Sequence, residues 1–228
     1  MSTRTYGRTT VTLPDLTEPG LYLSNVDSLE APRGVLQDFR YTDASLRALE
    51  LDHARLVTGS ITTLDAARAH LDSVDLHSVE IVGTSIQSAQ WTDSKLSRVV
   101  FRNCKLMGAM FKGVTFDDVL FEGCKLDYAT FEDVRATGPL VFTGCSLRES
   151  EFTGCSLEQA VLTDCDLRLA EFQRGRYRDM DLRGNDLTSL RGVGSLSRVI
   201  VDRAQQLELA QALTAELDIT FGDELNES

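Results

Sequence analysis

The chain has 228 residues, an apolar share of 42%, five cysteines and a formal charge of −12 at pH 7. It has no apolar run of about 18 residues, which argues against a membrane-spanning helix, and no apolar stretch follows the first basic residues, as a secretory signal would require. The negative charge disfavours direct binding to nucleic acid, because that affinity comes from lysine and arginine. We therefore expect a reduced, cytoplasmic protein without direct nucleic acid or membrane contacts.

The first 35 residues carry no regular pattern and contain prolines at positions 14, 19 and 32. We predict that residues 1–35 form an N-terminal cap that is partly extended and partly irregular.

From Leu36 to Leu187 an apolar residue occupies almost every fifth position, and a small residue usually stands two positions before it. A period of five fits neither a helix of 3.6 residues per turn nor a strand with a two-residue alternation. It indicates a repeat architecture, in which successive units bury their apolar side chains against one another.

The period has two irregularities. At residues 62–70 the bulky Leu64 takes the small-residue position and Ala66 takes the central one, so we expect a helical bump or a distorted corner there. At residues 137–139 the register shifts by one residue. Two ladders share that shift, which predicts a one-residue bulge near Pro139: Phe111, Phe131, Phe152, Phe172 and Cys104, Cys124, Cys145, Cys165.

The units Ala129-Thr-Phe131-Glu-Asp, Cys145-Ser-Leu147-Arg-Glu, Cys155-Ser-Leu157-Glu-Gln and Cys165-Asp-Leu167-Arg-Leu resemble the pentapeptide-repeat family. The resemblance covers residues 36–189. It implies an all-β fold, a right-handed quadrilateral parallel β-helix with four pentapeptides in each coil. About eight coils stacked at about 4.8 Å would give a rod of roughly 38 Å.

The C-terminal segment, residues 190–228, is predicted to contain a turn, a short α-helix at about 202–217 and a tail. Asp202 and Gln205 have the spacing of a capping box. Apolar residues then form a stripe along one side of the helix: Leu207, Leu209, Ala210, Leu213 and Leu217. The stripe either caps the open end of the solenoid, or pairs two chains as a homodimer, or does both.

We find no sequence pattern that indicates catalysis, a metal or a cofactor. The five cysteines lie on the repeat, where a small apolar residue is needed, rather than at zinc spacings. The histidines, His53, His70 and His77, occupy outward positions without a nearby ligand pattern. We therefore predict a protein that is not an enzyme.

Sorting the outward residues by face gives an uneven distribution of charge. The face built on Leu51, Leu71, Trp91, Phe111, Phe131, Phe152 and Phe172 carries eight acids against Lys112 and Arg174, a net charge of 2 − 8 = −6. We predict that these acids form a partner-binding face: Glu50, Asp52, Asp72, Asp93, Glu132, Asp133, Glu151 and Glu171. An acidic face suits a protein partner with a basic surface.

The resemblance supplies one specific hypothesis. Some bacterial pentapeptide-repeat proteins imitate duplex DNA, bind DNA gyrase or topoisomerase IV and change quinolone sensitivity. The present chain lacks the long loop insertions of the plasmid-borne members. The alternative is an interaction scaffold that uses the same face for another partner, and an enzyme of an unrecognised kind is a third, less favoured possibility.

Overall fold

Short parallel strands recur along the chain and stack in register at intervals of twenty residues. The structure is a computed structural model that describes residues 2–30, 34–220 and 222. It is a parallel β-solenoid of about seven turns with one short C-terminal helix, close to the eight coils that the period suggests. Residues 31–33 of the expected cap, and residues 221 and 223–228 of the tail, lie outside the described residues.

In chain order the strands are β1 (Ser2–Tyr6), β2 (Thr9–Leu13), β3 (Ser24–Asn25), β4 (Val35–Thr42), β5 (Ser45–Leu46), β6 (Leu49–Asp52), β7 (Arg55–Thr62), β8 (Asp65–Ala66), β9 (Ala69–Asp72), β10 (Asp75–Val82), β11 (Ser85–Ile86), β12 (Ala89–Thr92), β13 (Lys95–Arg102), β14 (Met110–Lys112), β15 (Thr115–Glu122), β16 (Thr130–Glu132), β17 (Arg135–Ala136), β18 (Leu140–Thr143), β19 (Glu151–Thr153), β20 (Val161–Thr163) and β21 (Glu171–Gln173). Two 3-10 helices, Val193–Ser195 and Arg203–Gln205, precede helix α1 (Gln206–Glu216).

Three parallel sheets supply the four sides of the coil. The largest sheet runs from β3 and β4 to β20, and it bends at residues with left-handed backbone conformations such as Thr58 and Arg98. Because of this bend it forms two sides of the rod. The first side contains the column of central residues that begins at Leu36, and the second side contains the column that begins at Tyr41. Strands β5, β8 and β11 begin the third side (the Leu46 column). The fourth side is a seven-stranded sheet, β6-β9-β12-β14-β16-β19-β21, and it lies opposite the second side.

The central residues of the repeats point inward and stack along the rod. The rings of Phe131 and Phe152 lie 4.5 Å apart and nearly parallel, and Phe111 lies 5.0 Å from Phe131 on the other side. The five cysteines are buried free thiols, which confirms their prediction as core residues. The Sγ of Cys124 donates to the Phe101 carbonyl at 3.4 Å. The ladders therefore form one continuous core.

The expectation of a helical bump or distorted corner at residues 62–70 is wrong. Strand β8 pairs in register with β5 and β11, so this coil has the same course as its neighbours. Leu64 and Ala66 are both buried. The large side chain has moved to the small-residue position and the small one to the centre, which keeps the buried volume similar.

The register shift lies between β17 and β18. Ala136 pairs with Phe116, twenty residues away, whereas Leu140 pairs with Val119, twenty-one residues away. A Cβ atom on Gly138 would overlap the Asp117 Oδ1. The extra residue is therefore accommodated where a glycine lets the chain pass close to the preceding coil.

Residues 2–13 do not cap the end of the rod as we expected. Strands β1 and β2 form an antiparallel hairpin. Its buried Val11 and Leu13 pack on four outward apolar residues of the second side: Val100, Leu120, Val141 and Val161. Arg4 also pairs with Glu122 at 2.7 Å. The hairpin thus covers the second side, while the buried Leu29 packs against the main core.

Helix α1 lies against the C-terminal end of the solenoid. The side chain of Gln205 donates to the Asn185 carbonyl at 2.7 Å, Glu208 accepts from the Leu187 N–H at 3.0 Å, and Glu216 accepts from the Val193 N–H at 2.6 Å. These side chains satisfy backbone groups of the last coil, so the helix acts as an end cap.

The apolar stripe of this helix divides between two environments. Leu209 packs against the core together with the buried Ala212. The other members remain exposed: Leu207, Ala210, Leu213 and Leu217. Of the five residues in the apolar stripe, only Leu209 is therefore partly buried by the end-cap contact. Polar side chains make most of the other contacts between the helix and the last coil.

Candidate protein-binding face

The fourth side carries the eight acids that the sequence analysis assigned to one face, and we call it the acidic face. Six lie in its strands: Glu50, Asp52, Asp72, Glu132, Glu151 and Glu171. Asp93 and Asp133 lie at the corner that follows β12 and β16. Since strands stack at about 4.8 Å, the face extends over roughly 30 Å of the rod.

The strand register shows that the acids do not form an unbroken stripe. Glu50, Asp52 and Asp72 cluster at the N-terminal end, and Glu132, Asp133, Glu151 and Glu171 cluster toward the C-terminal end. The intervening strands present Gln90, Thr92, Met110 and Lys112, with Asp93 at the corner beside them. The face therefore has two acidic groups separated by a less charged centre.

Most of the acidic charge on this face is uncompensated. Lys112 pairs with Glu132 at 3.0 Å, and His53 contacts Asp52. Within the described part of the chain, no ion pair involves the remaining carboxylates of the face: Glu50, Asp72, Asp93, Asp133, Glu151 and Glu171. A basic surface could approach them without first breaking an internal salt bridge.

The third side shows the contrasting arrangement. Arg148 bridges Asp127 at 3.1 Å and Asp166 at 3.8 Å, and Arg168 also pairs with Asp166. Burial of Asp127 opposes its ionisation, but hydrogen bonds from Arg148 and Ser146 outweigh that effect and lower the pKa of its carboxyl. The hydrogen bond from Arg168 lowers the pKa of Asp166. These two acids are thus neutralised within the rod, whereas Asp65 on the same side is exposed.

The two corner acids also have a local structural role. Asp93 and Asp133 adopt left-handed backbone conformations, which aspartate tolerates better than most residues. The Oδ1 of Asp93 occupies the space that a Cβ of Gly113 would need, and Asp133 has the same relation to Gly154. Their side chains thus fold over the next coil, so the six strand acids are the better candidates for contacting a partner.

A surface groove of about 740 Å³ runs along the corner between the acidic face and the first side. Its charged residues are of both signs: Asp93, Asp133, Lys112, Arg135, Arg174 and Arg176. Ser156 in the groove accepts a hydrogen bond from Arg176 at 2.9 Å. This arrangement orders the corner but does not bring a base toward the serine hydroxyl.

The histidines do not form a common site. His53 and His70 are exposed, and His77 is half-buried beside Arg98, where burial and then the arginine charge lower the pKa of its imidazole. Among the described residues, no group of three His, Cys, Asp or Glu side chains could hold a metal ion. No described helix has the length and apolar character needed to cross a bilayer.

Sorting outward residues by charge alone missed three apolar side chains near the centre of this face. Met110 lies on β14, and Met107 and Tyr128 lie at the neighbouring corner. All three are exposed, by 44% for Met107, 39% for Met110 and 56% for Tyr128. The sequence could have predicted these exposed side chains, because methionine and tyrosine at outward positions of the repeat do not pack in the core.

A five-residue repeat, strands in register every twenty residues and inward central side chains define a parallel β-solenoid whose fourth side is a largely unpaired acidic face.

Comparisons with known proteins find several similar solved structures. The chain is similar to a trypsin-treated variant of QnrB1, a plasmid-mediated fluoroquinolone resistance protein (19% identity, 78% of this chain and 100% of that chain, TM-score 0.46). It is also similar to HetL, a pentapeptide repeat protein involved in heterocyst differentiation regulation from the cyanobacterium Nostoc sp. strain PCC 7120 (17% identity, 68% and 91%, TM-score 0.29). A third is Rfr23, a pentapeptide repeat protein from the cyanobacterium Cyanothece 51142 (14% identity, 69% and 91%, TM-score 0.31).

The family model that matches is the SV2A/B/C luminal domain, over residues 97–172. No curated protein sequence matches the chain. At these sequence identities and TM-scores, the similarity does not indicate what the chain binds. The fold is described from the strand register of the present structure.

Proposed function

We propose that this chain is a cytoplasmic, non-enzymatic binding protein whose acidic face contacts a basic surface on a protein partner. One observation carries the proposal: the described carboxylates of this face are largely free of ion pairs, whereas arginines neutralise Asp127 and Asp166 of the third side. Unpaired acids on a flat sheet attract a positively charged surface and speed its association.

The other sides of the rod support the same assignment. The N-terminal hairpin covers the apolar column of the second side, and internal salt bridges occupy the third. The first side mixes both signs, with Arg55 and Asp75 paired at 3.3 Å. Among the described residues, the acidic face is the side that is uncovered, flat and dominated by a single sign of charge.

A type II topoisomerase is the first partner to test. A rod with carboxylates along one side can meet the lysines and arginines that normally neutralise DNA phosphates. The resemblance of the repeat units to the pentapeptide-repeat family suggests the same partner, since some members of that family bind these enzymes. An interaction scaffold for a different basic protein is the alternative, and both use the same face.

The test is a DNA gyrase supercoiling assay, with and without a quinolone, at low salt and with the protein in excess. We expect the wild-type chain to inhibit supercoiling or relieve quinolone poisoning, and a variant with Glu50, Asp72, Glu132 and Glu151 all changed to Lys to lose that effect. The matched control reverses four exposed acids on other sides: Asp43, Asp65, Glu158 and Asp164.

Both variants change the total charge equally, so only the position of the charge differs. If the control loses the effect as fully as the acidic-face variant, general electrostatics explains it and the face is not the site. If wild-type protein leaves gyrase unaffected, topoisomerase is rejected as a partner and the scaffold function remains.

We assign the exposed side of α1 to a contact between two copies of the chain. Leu207, Leu213 and Leu217 of the apolar stripe are 68%, 39% and 60% exposed. Sedimentation of the full chain should show a dimer, and changing Leu213 and Leu217 to Glu should give monomers. A wild-type monomer at tens of micromolar would exclude this contact.

A further inference from the structure

Three apolar side chains project from the middle of the rod where the acidic face meets the third side: Met107, Met110 and Tyr128. We call them the apolar anchor. The molecule covers its other outward apolar column, on the second side, with Val11 and Leu13 of the hairpin. No described segment covers the apolar anchor, which remains 39–56% exposed.

The backbone places Tyr128 at a left-handed corner of the coil, a conformation that Leu169 also adopts. The Tyr128 N–H bonds to the Arg148 carbonyl, and the Gly108 N–H bonds to the Asp127 carbonyl, so Gly108 and Tyr128 occupy equivalent corners of successive coils. Tyr128 has a φ of 61°, in the left-handed region that is strained for a bulky side chain. The ring is not buried in return, so core packing does not explain why a tyrosine stands at this corner.

The corner beside the tyrosine is open. A Cβ atom on Gly108 would meet nothing within 4 Å. A side chain from another molecule could therefore lie over Gly108 and against the ring. Met107 directly precedes Gly108 and Met110 follows it by two residues, so two exposed methionines neighbour this open position along the chain.

The surrounding charges indicate the chemistry of the molecule that would bind here. On the acidic-face side, Glu132 and Glu151 lie on the strands that follow β14. On the third side, Lys105 and Lys125 are exposed. The neighbourhood is thus acidic on one flank and basic on the other, which suits a folded protein surface of mixed charge better than the uniform negative charge of nucleic acid.

We propose that the apolar anchor is the energetic centre of the interface, and that it inserts into an apolar pocket of a partner protein whose basic residues contact the acidic face. This proposal rests on the function proposed above. Tyrosine and methionine suit the role, because a tyrosine contributes a large rigid contact area and methionine adapts to irregular surfaces. Interface energy is commonly concentrated in a few such central residues surrounded by polar contacts.

Site-specific photocrosslinking in the native cytoplasm tests the proposal. Benzoylphenylalanine replaces Tyr128 in one variant of the full chain, Tyr22 in a second and His70 in a third. Tyr22 is the matched control, a tyrosine that is 81% exposed on the N-terminal segment. His70 reports on the acidic face away from the apolar anchor. We expect one protein to crosslink at positions 128 and 70 and not at 22.

The captured protein is then purified, and its affinity is measured directly. We expect Tyr128→Ala to weaken binding at least tenfold and Tyr22→Ala to change it less than twofold. Because Tyr128 is exposed, its substitution should leave the unfolding midpoint unchanged or slightly raised, which separates a binding defect from misfolding.

The outcomes separate the two proposals. A partner that crosslinks at position 70 but not at 128, or whose affinity survives Tyr128→Ala, overturns the apolar anchor and leaves the acidic face as the site. Absence of crosslinks at both positions overturns both proposals. Adducts at 128 with nucleic acid, or with a second copy of this chain, would also overturn the partner assigned here.

Discussion

Individual phenylalanine rings in the core carry much of the stability of the rod. Phe131 lies between Phe111 and Phe152 in nearly parallel stacks, at centroid distances of 5.0 and 4.5 Å. Phe131→Ala removes both contacts and leaves a cavity that stacked coils cannot close, so we expect a loss of about 3–5 kcal/mol in the free energy of unfolding. Chemical denaturation measures this loss.

Thr130→Ala, at the adjacent outward position, is the control for Phe131→Ala. It should cost less than about 1 kcal/mol, since surface substitutions have small effects. Equal losses for the two variants would contradict the inward and outward assignment of these residues.

Asp127 should make stability depend on pH. Hydrogen bonds from Arg148 and Ser146 hold the pKa of its carboxyl below the value in the unfolded chain. The stabilisation is therefore present above about pH 4 and is lost as the pH falls through the lower folded pKa. Asp127→Asn should lower the free energy of unfolding by about 1–3 kcal/mol at pH 7, and the difference from wild type should shrink toward pH 3.

Urea titrations at a series of pH values check this behaviour. Asp65→Asn is the control, because Asp65 is exposed and forms no side-chain ion pair among the described residues. A difference between wild type and Asp127→Asn that stays constant from pH 7 to pH 3 would show that the carboxylate charge is not what stabilises this site.

At the level of single residues, the five-residue period was sufficient to predict which side chains point inward. It failed at Leu64 and Ala66, because a rule that treats each position separately cannot anticipate that two neighbours exchange sizes and fill the same volume. It also could not predict the pairing of Arg148 with Asp127, which depends on rotamers in adjacent coils.

The N-terminal hairpin is an element whose removal should expose an apolar surface. Val11 is fully buried on the second side, whereas Thr10 is exposed on the same strand. Val11→Asp loses about 1.5–3 kcal/mol of burial energy and also buries a charge. We expect the hairpin to detach, with faster proteolysis within residues 2–13 and increased binding of a hydrophobic dye.

Thr10→Asp should leave both the proteolysis rate and the dye binding at wild-type levels. If Val11→Asp leaves proteolysis and dye binding unchanged, the hairpin does not depend on the apolar column beneath it.

The sequence indicated one partner of this contact, because Val100, Leu120, Val141 and Val161 are apolar residues at outward positions. What covers them could not be predicted, because the hairpin is distant in sequence from the strands that it contacts.

The C-terminal helix illustrates a related limit at the same scale. Its position and its Gln205 cap were predictable from local sequence. Which side meets the solenoid was not, because Glu208 and Glu216 contact backbone N–H groups of the last coil and turn part of the apolar stripe outward. A hydrophobic pattern alone cannot weigh such polar contacts against apolar burial.

For the whole molecule, periodicity was sufficient to place six of the eight predicted acids on one side and Asp93 and Asp133 at its corner. It did not reveal that the acids fall into two groups around a less charged centre, because charges were counted by face and not along the rod. The rod has one side covered by the hairpin, one side on which arginines pair with Asp127 and Asp166, and one side whose carboxylates mostly lack ion pairs. Binding through the last of these should weaken as salt rises, since exposed charges are screened over a few ångströms at high ionic strength.

Quantitative affinity capture from a native cell extract tests the role of the acidic face most directly. Three baits are compared: the wild-type chain, the variant reversed at Glu50, Asp72, Glu132 and Glu151, and the control reversed at Asp43, Asp65, Glu158 and Asp164. We expect at least one protein to bind the wild type and the control, to be lost from the acidic-face variant, and to elute at about 0.5 M salt. Recovery of the same proteins on all three baits would contradict a binding role for this face.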